Sequence, residues 1–170
     1  TRASHNVAQL QSGQLQVADT VSSRDGTDTL SNVERLRFDD SSLAFDYTGD
    51  AGMAYRLYIA AFNRTPDQAG LGFQISALDS GFSLVQIANG FLASPEFSAT
   101  YGSLDNTNYV TQLYRNVLHR DPEQAGLEFH LNELASGESR ALVLTHFSES
   151  PECQALLIGQ VQNGIPYVPT

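Results

Sequence analysis

One helical pattern occurs twice in this chain, 56 residues apart and without a gap. Tyr58 answers to Tyr114, Arg64 to Arg120, Pro66 to Pro122, and Gln68-Ala69-Gly70-Leu71 to Gln124-Ala125-Gly126-Leu127. The register holds through Phe73/Phe129, Leu78/Leu134, Ser80-Gly81/Ser136-Gly137 and Phe91/Phe147, and closes on Ser94-Pro95-Glu96 against Ser150-Pro151-Glu152. A match of fixed period over this length marks a duplicated module. It also sorts candidate sites, because chemistry built into the module should show polar groups at both copies.

The apolar spacing gives each copy its helices. Ala54, Leu57, Tyr58, Ala61 and Phe62 make a stripe of helical period, repeated by Val110, Leu113, Tyr114, Val117 and Leu118. Leu71, Ile75 and Leu78 are mirrored by Leu127, Leu131 and Leu134. A third stripe runs through Leu84, Ile87, Ala88, Phe91 and Leu92, answered by Val143, Leu144 and Phe147. Fourth helices follow Pro95 and Pro151, so eight helices are expected, with Tyr58, Phe62, Leu71, Leu78, Phe91 and their counterparts buried. Thr65 and Asp121 read as helix caps before Pro at the first helical position, with Gln68 and Gln124 reaching back. Gly81 and Gly137 suit left-handed helix stops, and Gly70 and Gly126 suit close helix contact.

Residues 1–48 have a different character. Val7, Leu10, Leu15 and Val17 are spaced for strands around Ser12-Gly13, and Val33 to Phe38 and Leu43 to Phe45 read as two further short strands. Between them Ser22 to Thr29 reads as a polar turn-rich loop. The expectation is an α+β chain that is mainly α-helical: a β lobe (1–48), a first four-helix unit (49–105) and a second (106–170), the two units packed as one domain.

The nine basic residues are all Arg, against 19 acidic ones, for a formal charge of -10. Such a surface repels phosphate backbones, so no nucleic-acid partner is expected. No apolar run is long enough to span a bilayer, so no membrane insertion is expected. Thr1 in place of Met predicts a segment of a longer protein. Cys153 is the only cysteine, and its counterpart is Phe97, which predicts a buried, unreactive thiol.

Asp25-Gly26-Thr27-Asp28-Thr29-Leu30-Ser31-Asn32-Val33-Glu34-Arg35-Leu36-Arg37-Phe38 resembles the segment that follows the calcium-binding nonapeptides of RTX (hemolysin-type) proteins, a likeness extending over residues 15–47. Residues 50–153 resemble the bacterial domain-of-unknown-function family 4214, on Tyr55-Arg56-Leu57-Tyr58, Phe62-Asn63-Arg64-Thr65-Pro66-Asp67 with Gly70, and Phe147-Ser148-Glu149-Ser150. The two resemblances imply an extracellular or cell-surface bacterial protein exported by a type I system, with no assigned activity for the helical part. Of the repeat pattern Gly-Gly-x-Gly-x-Asp-x-apolar-x only Gly26-Thr27-Asp28-Thr29-Leu30 is present, once.

Calcium takes 6–8 hard oxygen ligands in flexible geometry. Asp25, Asp28, Asp39 and Asp40, in and around the β lobe, are the candidate calcium ligands, the alternative being solvated turns. His130 and Glu133 stand one helical turn apart, but their counterparts are Gln74 and Ala77, and those of His119 and His146 are Asn63 and Gly90. A metal site there would belong to one copy only. No H-E-x-x-H, G-x-S-x-G, P-loop or dinucleotide fingerprint occurs. Arg64 and Arg120 precede the same turn in both copies. Their structural reading is a planar clamp on Glu96 and Glu152; their functional reading is a duplicated site for an acidic or sugar ligand beside Tyr58 and Tyr114.

The expected function is a non-catalytic module for adhesion, surface attachment or matrix assembly, with protein or glycan surface partners and a link to calcium. The competing expectation is an accessory or catalytic domain of a secreted hydrolase.

Overall fold

The computed structural model describes residues 1–170. It holds six short strands and eight α-helices: β1 (His5–Gln9), β2 (Leu15–Asp19), β3 (Thr27–Leu30), β4 (Arg35–Arg37), β5 (Ser42–Ala44), α1 (Asp50–Phe62), α2 (Gln68–Asp79), α3 (Leu84–Leu92), α4 (Pro95–Tyr101), α5 (Asn106–Val117), α6 (Gln124–Ala135), α7 (Arg140–Ser148), α8 (Pro151–Val161) and β6 (Ile165–Tyr167). The fold is α+β and mainly helical. Each helix of the second copy begins 56 residues after its counterpart in the first. None of the helices is long and apolar enough to cross a membrane.

The helix ends show why the starts keep step. Ser83, Ser94, Ser139 and Ser150 cap α3, α4, α7 and α8, each accepting from the backbone N–H three residues on. α1 ends at Asn63 and α5 just before His119, both left-handed, at φ 49° and 53°. Asn and His are among the few side chains that tolerate this region, so His119 is a turn residue in register with Asn63. The caps expected at Thr65 and Asp121 lie elsewhere. α2 is capped by Asp67, whose Oδ1 accepts from the Gly70 N–H at 2.7 Å, and α6 starts after Glu123, which makes no side-chain cap. Pro66 and Pro122 therefore precede the helices, and the chain stays extended until the carboxylate.

α1 is buried at every position from Ala51 to Phe62 except Met53, which is half-buried. A helix covered all round is the centre of a core. It packs on α2, α3, α5 and α7, while α3 also packs on α7, so the two copies interleave. One apolar cluster of 32 buried residues draws on both copies and includes Tyr58, Phe62, Leu71, Leu78, Phe91, Tyr114, Leu118 and Phe147. Leu127 and Leu134 differ from their counterparts in being only partly buried.

The strands form two antiparallel sheets, β1-β2-β3 and β4-β5-β6. Two of the strands correct the sequence reading. Thr27–Leu30, expected in a loop, pairs with β2 with Leu15 opposite Leu30 and Val17 opposite Asp28. Its side chains are largely exposed, so backbone pairing rather than apolar burial makes it a strand. β6 follows the second copy in sequence yet pairs with β5, and the Val168 N–H donates to the Gln68 carbonyl at 2.9 Å. A Cβ on Gly72 would lie 1.8 Å from the Val168 carbonyl oxygen, so glycine lets this segment lie against α2. The second copy has Glu128 at that position and no strand on α6, which is why α6 has no fully buried residue.

Candidate functional site

Each copy builds the same clamp. In the first, Arg64 Nε donates to Glu96 Oε1 at 2.7 Å and Nη2 to Glu96 Oε2 at 3.1 Å. Nη2 also donates to the Tyr58 hydroxyl at 2.7 Å, which in turn donates to Asp67 Oδ2 at 3.1 Å. The guanidinium lies 4.9 Å from the Tyr58 ring centre. In the second, Arg120 meets Glu152 through Nε at 2.8 Å and Nη2 at 2.9 Å, reaches Glu123 with Nη1, and lies 5.0 Å from the Tyr114 ring. The fork geometry of arginine suits such two-point contacts. The hydrogen bonds from Arg120 hold the Glu152 carboxyl below its ordinary range. A Cβ on Gly126 would fall 2.1 Å from the Tyr114 hydroxyl, so this glycine makes room for the tyrosine.

Behind the clamps the copies diverge. In the first, α2 and α3 enclose an open cleft of about 880 Å³. Its inner wall includes Tyr58, Phe62, Ile87 and Phe91; Phe73 and Phe82 stand at its mouth, 61% and 56% exposed. The polar lining includes Gln74, Ser76, Ser80, Gln86, Ser94 and Thr170, with Glu96, the side-chain carboxylate already held by Arg64. Ser80 is turned onto the Ser76 carbonyl and Ser94 onto the Phe91 carbonyl, while the oxygen of Gln86 closes the Ser83 capping box. The Gln74 amide, the Ser76 hydroxyl and the NH₂ group of Gln86 remain for a visitor.

In the second copy side chains occupy the same place. His130, where the first copy has Gln74, lies against Phe147 with ring centres 4.5 Å apart and planes inclined by 34°. Its Nδ1 is 2.7 Å from Glu133 Oε2, and His146 Nδ1 is 3.1 Å from Glu133 Oε1. The counterparts of Glu133 and His146 are Ala77 and Gly90. The His130–Glu133 pair is thus packing of the second copy, where imidazoles and a carboxylate fill what alanine and glycine leave open.

The four candidate calcium ligands do not converge. Asp28 projects from β3 into a shallow depression that Asp39 also lines. Asp40 accepts the Arg2 N–H at 2.7 Å. Asp25 instead groups with His5 and Asp19, whose ligand atoms lie within 4.8 Å of one another. A cation is already there: Arg24 donates to both oxygens of Asp19, at 2.5 and 2.8 Å, and lies 3.2 Å from Asp25. Its hydrogen bonds hold the Asp19 carboxyl at about 2. A set of one imidazole and two arginine-bound carboxylates falls well short of the oxygen shell calcium takes, so these residues as arranged do not fit the ion. Asp28, Asp39 and Asp40 lie outside that cluster.

Arg56, within the Tyr55-Arg56-Leu57-Tyr58 stretch of α1, is given no role by the sequence. It is buried, donating to Glu149 through Nε at 2.9 Å and Nη2 at 2.6 Å and to the Tyr47 carbonyl at 2.7 Å. Its counterpart is Gln112 and that of Glu149 is Ala93, so this pair belongs to no single copy but joins the two. The signal was its place inside an otherwise apolar run. Cys153 is fully buried, and burial pushes its thiol up to about 12.

No curated protein and no solved structure matches the chain. Residues 88–157, from within α3 to within α8, match the model of the family described as Domain of unknown function (DUF4214).

Proposed function

We propose that this chain is a non-catalytic extracellular module of a type I-secreted, RTX-like bacterial protein, serving adhesion, surface attachment or matrix assembly. The observation that carries the reading is the cleft found in one copy and filled in the other. A duplicated scaffold that keeps its clamps in both copies and opens a wall in one has a place for a partner. The groups offered there are amides, hydroxyls and aromatic faces, and the one side-chain carboxylate is tied to Arg64. Such groups recognise and orient; general acid–base chemistry needs a positioned proton donor or acceptor. The Asp25–Phe38 segment supports the RTX setting through its resemblance alone. Calcium stays outside the reading because Arg24 holds the acidic cluster.

The test is retention of the fluorescently labelled chain on intact bacterial cells and on isolated extracellular matrix, with the supernatant assayed for released reducing ends and peptides. Saturable retention without release is the expected result. Absence of retention at micromolar concentration would remove the attachment function. Release of products would move the chain to the competing class of secreted hydrolases.

A further inference from the structure

We infer that the cleft between α2 and α3 is a binding site for a neutral saccharide, an assignment that rests on the attachment reading and names its ligand class. Three observations converge. The first is charge. The chain has no lysine and a net charge of -10, and the one cation beside the cleft, Arg64, is already engaged by both oxygens of Glu96. Phosphate, sulfate and carboxylate groups find no free partner there. Cationic ligands find no free side-chain carboxylate, since Glu96 is neutralised by the same pair.

The second is the mixture of surfaces. Phe73 and Phe82 present exposed rings at the mouth, and Phe91 and Ile87 line the inner wall. An aromatic face carries partial negative charge and attracts the polarised C–H groups of a pyranose face. Beside these rings stand the Gln74 amide, the Ser76 hydroxyl and the free NH₂ of Gln86, none of them engaged by another side chain. A wholly apolar occupant would strip water from them and leave them unpaired, at a penalty per group comparable to a lost hydrogen bond. A ligand with one apolar face and a rim of hydroxyls satisfies both.

The third is the second copy, which shows what fits the space. There the ring of His130 lies on Phe147, and its polar edge meets the Glu133 carboxylate. A flat ring with a polar edge is the group the scaffold accepts at this point. In the first copy the wall that would supply it has receded to Gln74, Ala77 and Gly90. The volume of about 880 Å³ is within the range of sites that enclose a small ligand.

The experiment is an array of neutral oligosaccharides probed with the whole chain, followed by calorimetric titration of the best ligand and two-dimensional NMR of the side-chain amides. Binding is expected with shifts at the Gln74 and Gln86 side-chain NH₂ signals and none at Asn132, the second-copy counterpart of Ser76. Phe82→Ala and Gln74→Ala should each weaken the Kd by about tenfold or more, with unchanged melting temperature as the control for folding. Cells oxidised with periodate should lose retention, and protease-treated cells should keep it. Retention lost to protease but resistant to periodate would overturn the saccharide in favour of a protein occupant. An empty array with cell retention intact would likewise overturn the saccharide and leave attachment standing. Saccharide binding in the cleft without retention on cells would remove attachment and leave the site.

Discussion

The two helical copies share most of their frame and differ chiefly where their sequences swap small residues for large ones. Caps, left-handed stops and arginine clamps recur in register, so the scaffold is held by groups present twice. The walls are free to change because the clamps carry the geometry. In the first copy Ala77 and Gly90 leave a cleft, and β6 covers α2 next to it. In the second copy Glu133 and His146 close the same place around His130, and α6 lies uncovered. Duplication thus leaves one copy filled and the other with an open cleft.

The strongest way to break this picture is at the seam. Arg56 is almost fully buried against Glu149, and neither has a charged counterpart in the other copy. Arg56→Ala should leave a carboxylate unpaired at the seam and cost about 3–5 kcal/mol, read by urea unfolding. Gln112→Ala, at the equivalent place in α5, should cost under about 1 kcal/mol, because its partner Asn116 keeps the Tyr101 hydroxyl. Equal losses would show that the copies fold independently of the pair.

A smaller effect is expected at Gly72. Its Cβ would collide with the Val168 backbone, so Gly72→Ala should displace β6 and cost about 1–3 kcal/mol. Hydrogen exchange should then rise at Tyr167 and Val168. Glu128→Ala on the uncovered α6 should change neither. Protection unchanged in Gly72→Ala would mean that β6 does not depend on close approach to α2.

The clamps come next. Arg64→Ala and Arg120→Ala remove two-point pairs that are about two-fifths exposed (side-chain exposure 42% and 38%), so solvent screening limits each to about 1 kcal/mol. Arg→Lys should recover only part of the loss, since an ammonium cannot reproduce the fork. The two losses should be similar, because the clamps are alike. A much larger loss of cell retention than of stability in Arg64→Ala alone would give that arginine a role in binding.

Acid should act unevenly on the copies. Asp67 in the first copy, and Glu123 and Glu152 in the second, have carboxyl groups held below their ordinary values: Asp67 by the Gly70 N–H first, Glu123 by its own backbone N–H and then Arg120, and Glu152 by Arg120. A depressed folded value means that the stabilisation is present above the unfolded carboxylate range and is lost as pH falls through the folded values. Stability should therefore decline below about pH 4.5, with helix α6 and the start of α8 loosening before α2 in hydrogen exchange. Uniform loosening would show that Asp67 alone contributes as much in acid as Glu123 and Glu152 together.

The smallest expected change is with calcium. Millimolar calcium should leave the melting temperature where it was, because Arg24 holds Asp19 and Asp25. A rise in wild type that is absent in Asp25→Ala would show that the ion displaces the arginine.

Much of the frame was legible because it rests on local rules. Periodicity located the eight helices, and the repeated Ser-Pro-Glu turns singled out Glu96 and Glu152 as the groups the two arginines meet. What stayed hidden depends on contacts between distant segments. Nothing local in Ile165-Pro166-Tyr167 names β5 as its partner, and the exposed Thr27–Leu30 becomes a strand through backbone pairing alone. The partner of Arg56 was hidden because its carboxylate lies 93 residues away. The cleft was half legible: the swaps Gln74/His130, Ala77/Glu133 and Gly90/His146 stood in the register, but that they share one wall is a fact of packing.

The most direct measurement is to give the first copy the wall of the second. Gln74→His, Ala77→Glu and Gly90→His together should build the imidazole–carboxylate packing beside Phe91, where Gly90 has open space around its Cβ position. A crystal structure of the triple variant would show whether the cleft has closed, and the cell-retention assay would be run on the same protein. The expected result is an intact fold with the cleft filled and retention abolished. A filled cleft with retention unchanged would contradict the assignment of binding to the first copy.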